Sequence, residues 1–211
     1  IFHLAAQVEI GVGLKSPYIT YETNVRGTYT LLESVRIYPD SVQAIVVASS
    51  DKAYGEYPKD KMPYKESYPL LPKYPYDTSK ACADMIAQSY TSDANKLPII
   101  ITRFSNIYGP GQREGSLIPS LIKSISKKEI PMIKTPMNKN DFIYVEDVAK
   151  VIAKAADSDL KSGIYNLGSG YSTSVYEICR TVEKQLLDND AISKKVLDNA
   201  GQTETVNFLS G

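Results

Sequence analysis

The sequence predicts an α/β fold built on a doubly wound parallel sheet, and three observations support this. Short β-branched apolar runs alternate with amphipathic helical patterns along the chain. The run at residues 44–48 is continuously apolar, as expected of a strand whose two faces are both covered. A length of 211 residues is enough for one large core and a smaller lobe.

These patterns assign the elements in chain order. A strand at residues 1–4 is followed by a segment with Gly11 and Gly13, which we interpret as a flexible loop. A helix over 19–36 comes next, with an apolar stripe at helical spacing. Residues 54–75 form a long loop rich in Tyr, Pro and Lys, a type that is usually functional or disordered. The remaining strands are predicted at 44–48, 97–101, 142–144 and 164–166, and the remaining helices at 76–92, 117–126, 146–156 and 174–187.

Composition argues against several function classes. The 24 basic and 24 acidic residues are interspersed, so no surface for nucleic acid is expected. The apolar runs are too short to cross a membrane, and no signal peptide is visible. Cys82 and Cys179 lie in helical patterns without a CxxC or a His-rich neighbourhood. We therefore expect reduced thiols of a cytoplasmic protein and no metal site.

Both ends of the chain predict a fragment. Ile1 opens an apolar strand-like run without an initiator Met, and residues 206–211 resemble an interrupted segment. Natural domains rarely begin in the middle of a core strand. We therefore expect further sequence on either side.

Tyr76 and Lys80 form the first candidate for chemistry. Residues four apart share one face of a helix, so the Lys80 ammonium is expected close to the Tyr76 phenol. That charge favours the phenolate and lowers its pKa from about 10, which gives a base for a hydroxyl proton. The spacing alone is weak, because chance gives about one such pair in this composition. Tyr57–Lys61 is indeed a second match.

Context separates the two pairs. Tyr76 opens a predicted helix, whereas Pro58 interrupts Tyr57–Lys61. The helix also follows a strand that ends in a Ser-Ser-Asp cluster at residues 49–51. The carboxyl ends of parallel strands line the crevice where such sheets bind ligands. Ser50 is therefore a candidate donor to the oxygen that Tyr76 deprotonates, and a turn or cap residue is the alternative.

Several blocks, taken in order, resemble the extended short-chain dehydrogenase/reductases that epimerise or dehydrate nucleotide sugars. The resemblance implies a Rossmann-like sheet with a small C-terminal substrate lobe, divided at 1–110 and 111–211. It also implies that the first βαβ units, with the Gly-rich turn, would precede Ile1. The blocks are Phe2-His3-Leu4-Ala5-Ala6, Asn24-Val25-Arg26-Gly27-Thr28, Ser49-Ser50, Tyr54-Gly55, Tyr76 with Lys80, Arg103 to Pro110, Leu117-Ile118-Pro119 and Asp141 to Ala149.

The resemblance further implies NAD as the cofactor and assigns site residues. Asn24 is expected to help position Lys80. The family usually has Arg where this chain has Asn140, so Lys139 is the candidate substitute for a phosphate-binding charge. The choice between NAD and NADP stays open, because the residue that reads the adenosine ribose would precede Ile1. Cofactor contacts are implied for Leu4, Ala5, Ala6, Asn24, Ser49, Tyr76, Lys80 and Phe104. Substrate contacts are implied for Ser50, Asn106, Leu117, Ile118, Lys139 and Asn140.

Asp51 and Lys52 suggest the reaction within the family. The resembling 4,6-dehydratases carry Asp at the position of Asp51, where it acts as the acid near C6. Most then have Glu as the C5 base, and the Asp-Lys pair here is most similar to the CDP-glucose branch. The resemblance therefore implies a nucleotide-sugar 4,6-dehydratase with Ser50, Asp51, Lys52, Tyr76 and Lys80 as catalytic residues. The alternatives are a 4-epimerase and a non-catalytic Rossmann-like binding protein, in which Asp51 caps a turn and Lys52 is a solvated loop residue.

The resemblance implies two partners. One is a nucleotide-diphosphate sugar, whose nucleotide the sequence does not identify. The other is a second copy of the protein, bound through helices 19–36 and 76–92. Without the preceding βαβ units, residues 1–211 alone are expected to bind NAD poorly.

Overall fold

The computed structural model describes residues 1–39, 42–157 and 160–203, so residues 206–211 lie outside the described part. The strands are β1 (Phe2–His3), β2 (Ile45–Ser50), β3 (Ile99–Phe104), β4 (Asn106–Tyr108), β5 (Lys139–Tyr144), β6 (Gly163–Leu167) and β7 (Ser172–Ser174). The helices are α1 (Ile10–Lys15), α2 (Pro17–Tyr21), α3 (Gly27–Ile37), α4 (Pro75–Tyr90), α5 (Leu117–Ser126), α6 (Val145–Asp157), α7 (Val175–Leu187) and α8 (Ala191–Thr203).

The chain forms two compact units. Unit 1 comprises Ile1–Ser105 and Asp147–Leu167, and unit 2 comprises Asn106–Glu146 and the residues from Gly168 onward. This division differs from a single boundary after residue 110, because most of α6 and all of β6 return to unit 1.

Unit 1 contains a four-stranded parallel sheet in the order β1-β2-β3-β6. β2 and β3 lie at its centre, and almost every residue of both strands is buried. β1 lies at one edge, where Phe2 is 49% exposed. The continuous apolar runs thus occupy the central strands, as expected of a parallel sheet covered on both faces.

Helices cover both faces of this sheet, which confirms the doubly wound architecture. On one face, Leu32 of α3 and Ala87 of α4 pack with Val47 and Ile99 of the central strands. On the other face, Ala155 of α6 packs with the intervening strand residues Val46 and Ile100. The alternation of side chains along a strand sends successive residues to these two cores.

The region before α3 differs from the prediction. Residues 10–15 form α1, so the interpretation of Gly11 and Gly13 as a flexible loop was wrong. Gly13 is buried, and a Cβ placed there would lie 3.5 Å from the Cβ of Tyr76, in ordinary van der Waals contact, so α1 packs directly against the start of α4. The predicted helix 19–36 begins earlier, at Pro17, and contains a π-helical segment at Glu22–Arg26 between α2 and α3.

Unit 2 combines a small sheet with three helices. β4 pairs in parallel with β5, and β5 pairs in antiparallel fashion with β7. Leu121 and Ile125 of α5 pack with Cys179 of α7 and Val196 of α8 in a separate apolar core. Ser174 and Glu177 form a reciprocal capping box that fixes the start of α7. The sequence patterns missed β4 and β7, which have three residues each, and also α8.

Two searches of the described residues bear on function classes. Within residues 1–39, 42–157 and 160–203, no helix is long and apolar enough to cross a membrane. The same residues contain no group of three or more His, Cys, Asp or Glu side chains that could hold a metal ion. Cys179 is buried in unit 2, and burial raises the pKa of its thiol to about 11.

Candidate active site

The carboxyl end of β2 carries the first group of candidate residues. Ser50 is the last residue of β2 and the N-cap of a 3-10 turn at Asp51–Tyr54, and its hydroxyl accepts a hydrogen bond from the Lys52 amide at 3.2 Å. The Ser50 hydroxyl donates to Oδ1 of Asp51 at 3.2 Å. Lys52 Nζ lies 3.1 Å from Oδ2 of Asp51. The capping role proposed as the alternative for Ser50 is thus present, and the same oxygen also contacts Asp51.

α4 brings the second group to this end of the sheet. Pro75 occupies the first turn of α4, where its fixed φ and missing N–H suit a helix start. Tyr76 follows directly, and the Ser50 side chain interacts with its phenol so as to lower the pKa of the phenol. Lys80 lies one turn later and is 6% exposed. Both helix and turn therefore present their candidate groups beside the end of β2.

The pKa of Tyr76 departs from the sequence-based expectation. Burial raises the pKa of the phenol above its usual value, and the hydrogen bond with Ser50 opposes that rise. The charges of Asp51 and Asp77 raise it further. The prediction that Lys80 lowers this pKa was wrong for the protein as it stands here. The Lys80 ammonium instead donates to the backbone carbonyl of Ala48 at 2.9 Å.

The pKa of Lys80 is altered as well. Burial lowers the pKa of its ammonium to about 8, and the charge of Asp84 partly opposes this change. Asp84 is one helical turn farther along α4 and is fully buried. His3 of β1 is half-buried, and its pKa is lowered by burial and by the charge of Lys80. A lysine whose pKa is lowered to this extent by burial is typical of functional sites.

The π-helical segment positions Asn24, which is 2% exposed. Its amide Nδ2 donates to the carbonyl of Gln7 and to the hydroxyl of Ser79, both at 2.9 Å. Its Oδ1 accepts the Gln7 amide N–H at 2.7 Å. Asn24 thus contacts Ser79, the neighbour of Lys80, and does not bond Lys80 itself. It also fixes the chain that leaves β1, consistent with π-helical turns marking functional positions.

The predicted cofactor residues outside α4 and the π-helical segment lie at the carboxyl ends of neighbouring parallel strands. Leu4, just beyond β1, is 54% exposed, and Ala5 beside it is also exposed. Phe104 ends β3, is 6% exposed and pairs in register with Ser50. Ser49 is buried, and its hydroxyl donates to Oδ2 of Asp84 at 2.6 Å, so this side chain is held within the protein.

Comparison with known proteins identifies the family. The model of the NAD dependent epimerase/dehydratase family matches residues 1–168. The chain belongs to the NAD dependent epimerase/dehydratase family. This confirms the resemblance drawn from the sequence blocks, the NAD dependence expected of the family and the expectation of an enzyme family.

Members of this family with both reaction types are similar to the chain. The dTDP-D-glucose 4,6-dehydratase of Mus musculus is 28% identical over 195 residues, which cover 92% of this chain and 54% of that protein. A crystal structure of dTDP-glucose 4,6-dehydratase from Bacillus anthracis in complex with NAD is 33% identical with a TM-score of 0.77, covering 90% of this chain and 57% of that one. UDP-N-acetylglucosamine 4-epimerase from Methanobrevibacter ruminantium is 29% identical with a TM-score of 0.81, covering 90% and 60%.

These coverages show that the chain spans about half the length of the mouse relative and somewhat more of the two solved structures. The solved family members also confirm the Rossmann-like α/β fold, since each superposes over most of this chain.

The remaining predicted substrate residues all lie in unit 2, and their contacts there are local. Asn106 Nδ2 donates to the backbone carbonyl of Asp141 at 3.0 Å, so its amide links β4 to β5. Leu117 packs against the apolar core of unit 2, and Ile118 beside it is partly buried. Lys139 and Asn140 open β5 and pair with residues of β7.

Sequence reasoning missed several residues that hold the site in unit 1. Gln7 and Ser79 are bonded by Asn24, and Asp84 and Arg103 form a buried ion pair in which Asp84 also accepts a hydrogen bond from Ser49. Asp84 follows Lys80 at the helical spacing, which is a signal that the sequence contains. The pairing of Asp84 with Arg103 needs α4 and β3 to be packed together, and no local pattern reports that.

Proposed function

We propose that the protein is an NAD-dependent nucleotide-sugar 4,6-dehydratase. The observation that carries this proposal is the ion pair between Asp51 and Lys52, which begins one residue after Ser50. A 4-epimerase needs a base at the sugar 4-hydroxyl and no acid at C6. An elimination of water across C5 and C6 needs one base and one acid placed together, and this pair supplies both.

Tyr76 and Ser50 act at the sugar 4-hydroxyl in this proposal. The Tyr76 phenolate takes the proton from that oxygen, and the Ser50 side chain, which favours the phenolate, acts at the same oxygen. NAD, when bound, accepts the hydride from C4 and returns it at C6. The Lys80 ammonium, one turn from Tyr76, favours the phenolate when it is freed from Ala48. The resulting ketone makes the neighbouring C5 proton acidic.

Asp51 and Lys52 perform the elimination together. In the neutral form of the pair, the Lys52 amine takes the C5 proton while the Asp51 carboxyl protonates the departing C6 oxygen, which leaves as water. The products of this step are an ammonium and a carboxylate, which is the ion pair seen at 3.1 Å. The Lys52 ammonium then returns its proton to C5 as hydride arrives at C6.

Solvent closes the proton balance of the cycle. After product formation, Tyr76 holds the proton from the 4-hydroxyl and Asp51 lacks one. The Asp51–Lys52 pair is partly exposed, so Asp51 can regain a proton from solvent. Loss of the Tyr76 proton to solvent then restores both groups to their starting forms.

The residues of unit 1 fit an NAD nicotinamide at the end of β1. Leu4 and Ala5 offer exposed apolar surface beyond a parallel strand, the location at which such sheets bind ligands. The chain after them is held by Asn24, and Lys80 and Tyr76 supply polar groups. We propose that Ala6 and Phe104 complete this surface, and that Ser49, whose hydroxyl bonds Asp84, supports it from within the protein.

For the substrate we propose a nucleotide-diphosphate sugar. Ser50 is the proposed sugar contact in unit 1. The proposed substrate contacts in unit 2 are Asn106, Leu117, Ile118, Lys139 and Asn140. Lys139 is exposed and positively charged, which suits a diphosphate, whereas Asn140 adds no charge. The relatives include a dTDP-D-glucose 4,6-dehydratase and a UDP-N-acetylglucosamine 4-epimerase, so sugars linked to dTDP and to UDP are both candidate substrates.

We further propose a homodimer formed through the helical stretch α2–α3 together with α4. These helices carry large apolar side chains that are exposed in the single chain, including Tyr18 at 71%, Tyr29 at 43% and Met85 at 58%. Burial of such side chains against a second copy is favourable by the hydrophobic effect.

A second candidate function is a nucleotide-sugar 4-epimerase. The specific observation in its favour is the TM-score of 0.81 with a UDP-N-acetylglucosamine 4-epimerase. In that case Asp51 and Lys52 form a surface ion pair with no part in the reaction.

Product analysis of the full-length protein separates the two functions. Incubation with NAD and a panel of dTDP-, UDP-, CDP- and GDP-linked sugars should give a 4-keto-6-deoxy product, detected by mass as a loss of water. A product of unchanged mass with inverted C4 would instead establish the epimerase. The panel also identifies the preferred nucleotide.

Asp51→Asn then tests the role of the acid. We expect loss of water to slow by about 10²–10³-fold, while reduction of bound NAD by the sugar remains easily detectable. Asp60→Asn is the matched control, because Asp60 lies in the exposed 3-10 turn Lys59–Lys61 and is also followed by a lysine. Normal loss of water from the Asp51→Asn protein would refute the assignment.

A further inference from the structure

Arg103 lies at the centre of a buried polar cluster that the proposed reaction does not use. Its side chain is 1% exposed, and its Nε and Nη2 donate to the two oxygens of Asp84, each at 2.8 Å. This is a bidentate arrangement, which fixes the guanidinium plane relative to α4. Asp84 lies four residues after Lys80, so the anchored face of α4 is the face that carries Lys80.

The same guanidinium also reaches the turn that carries the elimination pair. Its Nη1 donates to the hydroxyl of Tyr54 at 2.7 Å, and its Cζ lies 4.6 Å from the centre of the Tyr54 ring. Tyr54 is fully buried and ends the 3-10 turn that begins at Asp51. One side chain on β3 thus bonds α4 and the Asp51–Tyr54 turn at once.

The hydroxyl of Tyr54 is constrained on its other side as well. It donates to Oδ1 of Asn166 on β6 at 2.7 Å. Asn166 is in turn held through its own amide groups, which donate to the carbonyl of Tyr64 and to the carboxylate of Glu66. The position of Tyr54 is therefore set by a chain of bonds that begins at Asp84 and runs across the sheet.

We propose that Arg103 is a positioning residue that holds α4 and the Asp51–Tyr54 turn at a fixed separation. This rests on the proposed dehydratase function, in which α4 carries the base for oxidation and the turn carries the elimination pair. Stability alone does not explain the arrangement. Replacing a buried ion pair by apolar residues of similar volume often leaves the stability of a protein unchanged or raises it. A fixed separation matters because misplacement of a catalytic group by about 1 Å can cost about 100-fold in rate.

Tyr54→Phe tests this proposal, because it removes the hydroxyl that links Arg103 to the turn and keeps the ring stacked on Tyr64. Two rates are measured with the full-length protein and its preferred nucleotide sugar. Reduction of bound NAD in a single turnover reports the oxidation, and release of water, followed by mass, reports the elimination. We expect elimination to slow about tenfold and oxidation to change less than about twofold.

Arg103→Lys is the second variant, because a lysine can still pair with Asp84 and cannot bond Tyr54 at the same time. It should lower the ratio of elimination to oxidation in the same direction. Tyr57→Phe is the matched control: Tyr57 stacks in the same aromatic group, and its hydroxyl bonds Pro69 instead of Arg103. This control should leave the ratio unchanged.

The outcomes separate the two proposals. If the unaltered protein gives no loss of water, the dehydratase function fails before any variant is compared. If it does dehydrate, an unchanged ratio in whichever of Tyr54→Phe and Arg103→Lys folds would overturn the positioning role. Equal slowing of both steps would also overturn it, because that is the result of a purely structural contribution.

Discussion

Lys80 and Lys52 occupy neighbouring segments of unit 1 and differ in how the protein controls their charge. Lys80 is 6% exposed, donates to the Ala48 carbonyl at 2.9 Å and has its pKa lowered to about 8 by burial. The Lys52 side chain is 37% exposed and is paired with Asp51 at 3.1 Å. One ammonium is altered by the removal of water, and the other is held by a carboxylate in partial contact with solvent.

This difference suggests a division of labour between the two segments. A desolvated ammonium interacts strongly with a nearby phenolate, because its field is poorly screened. A half-exposed ion pair is easily rearranged, since pairs of this kind contribute little to stability. The buried segment is thus suited to stabilising charge during oxidation, and the partly exposed Asp51–Lys52 pair is suited to exchanging protons during elimination.

Tyr76→Phe, in the buried segment that carries Tyr76 and Lys80, should have the largest effect of these variants. Without the phenol, the 4-hydroxyl proton has no base, so we expect NAD reduction and product formation both to fall by about 10³-fold. Stopped-flow absorbance of reduced nicotinamide measures the first, and product mass measures the second. Tyr57→Phe should leave both rates within about twofold, because its hydroxyl bonds only the loop carbonyl of Pro69. Retained NAD reduction in Tyr76→Phe would exclude Tyr76 as the base.

Lys52→Met should affect the partly exposed Asp51–Lys52 pair and leave the buried segment with Tyr76 and Lys80 unchanged. We expect elimination to slow by about 100-fold while oxidation stays within about threefold, because the C5 base is lost and Tyr76 is untouched. The free energy of unfolding should change by less than about 0.5 kcal/mol, since the pair is partly exposed. Lys61→Met, in the exposed turn Lys59–Lys61, is the control. A parallel loss of oxidation would show that Lys52 does not act at C5 alone.

Lys80→Met tests how much the buried ammonium lowers the stability of the protein. The folded pKa of about 8 lies below the ordinary value of 10.5, so burial of the ammonium costs about 3 kcal/mol at neutral pH. We expect the free energy of unfolding of the variant to be about 1–3 kcal/mol higher than that of the unaltered protein at pH 7. This range already deducts the hydrogen bond to Ala48 that the variant loses. Oxidation should be largely lost.

The pH dependence of that stability gain is a separate check on its cause. Between about pH 8 and 10.5 the unfolded chain binds a proton at Lys80 that the folded chain has released. The unaltered protein therefore gains stability as pH rises through this window, and the advantage of Lys80→Met should shrink. Denaturant unfolding at several pH values measures it. A difference that does not vary with pH would mean that packing, and not charge, is responsible.

The sequence was sufficient for the elements whose cause is local. The central strands β2 and β3 begin as continuous apolar runs, and α4 has an apolar face and a Pro at its start, so their patterns predict them within three residues. α1 was missed because Gly11 and Gly13 suggest flexibility, whereas tertiary packing against α4 holds them in a helix. Propensity is a weak guide wherever packing can override it.

The candidate site likewise contains residues that local sequence patterns predict and features that depend on tertiary packing. Ser50, Tyr76 and Lys80 were found because strand end and helix start are visible in sequence, and the structure brings them to one end of the sheet. The raised pKa of Tyr76 was not predictable, because it follows from burial. Nor was the Asp84–Arg103 pair, since its partners are 19 residues apart on different elements. Asp51 and Lys52 are adjacent in sequence, yet only their contact shows that they form a pair.

Gly13→Ala has the smallest expected effect and tests how closely α1 must pack against Tyr76. A Cβ at this position would meet Thr20 Oγ1 and Tyr76 Cβ at 3.5 Å, which is ordinary van der Waals contact. Since Gly13 lies in α1, alanine should raise the free energy of unfolding by about 0.5 kcal/mol through its higher helix propensity. NAD reduction should stay within about twofold. Gly11→Ala, with open space around its Cβ, is the control. A loss of stability or of oxidation confined to Gly13→Ala would show that α1 must approach Tyr76 more closely than a methyl group allows.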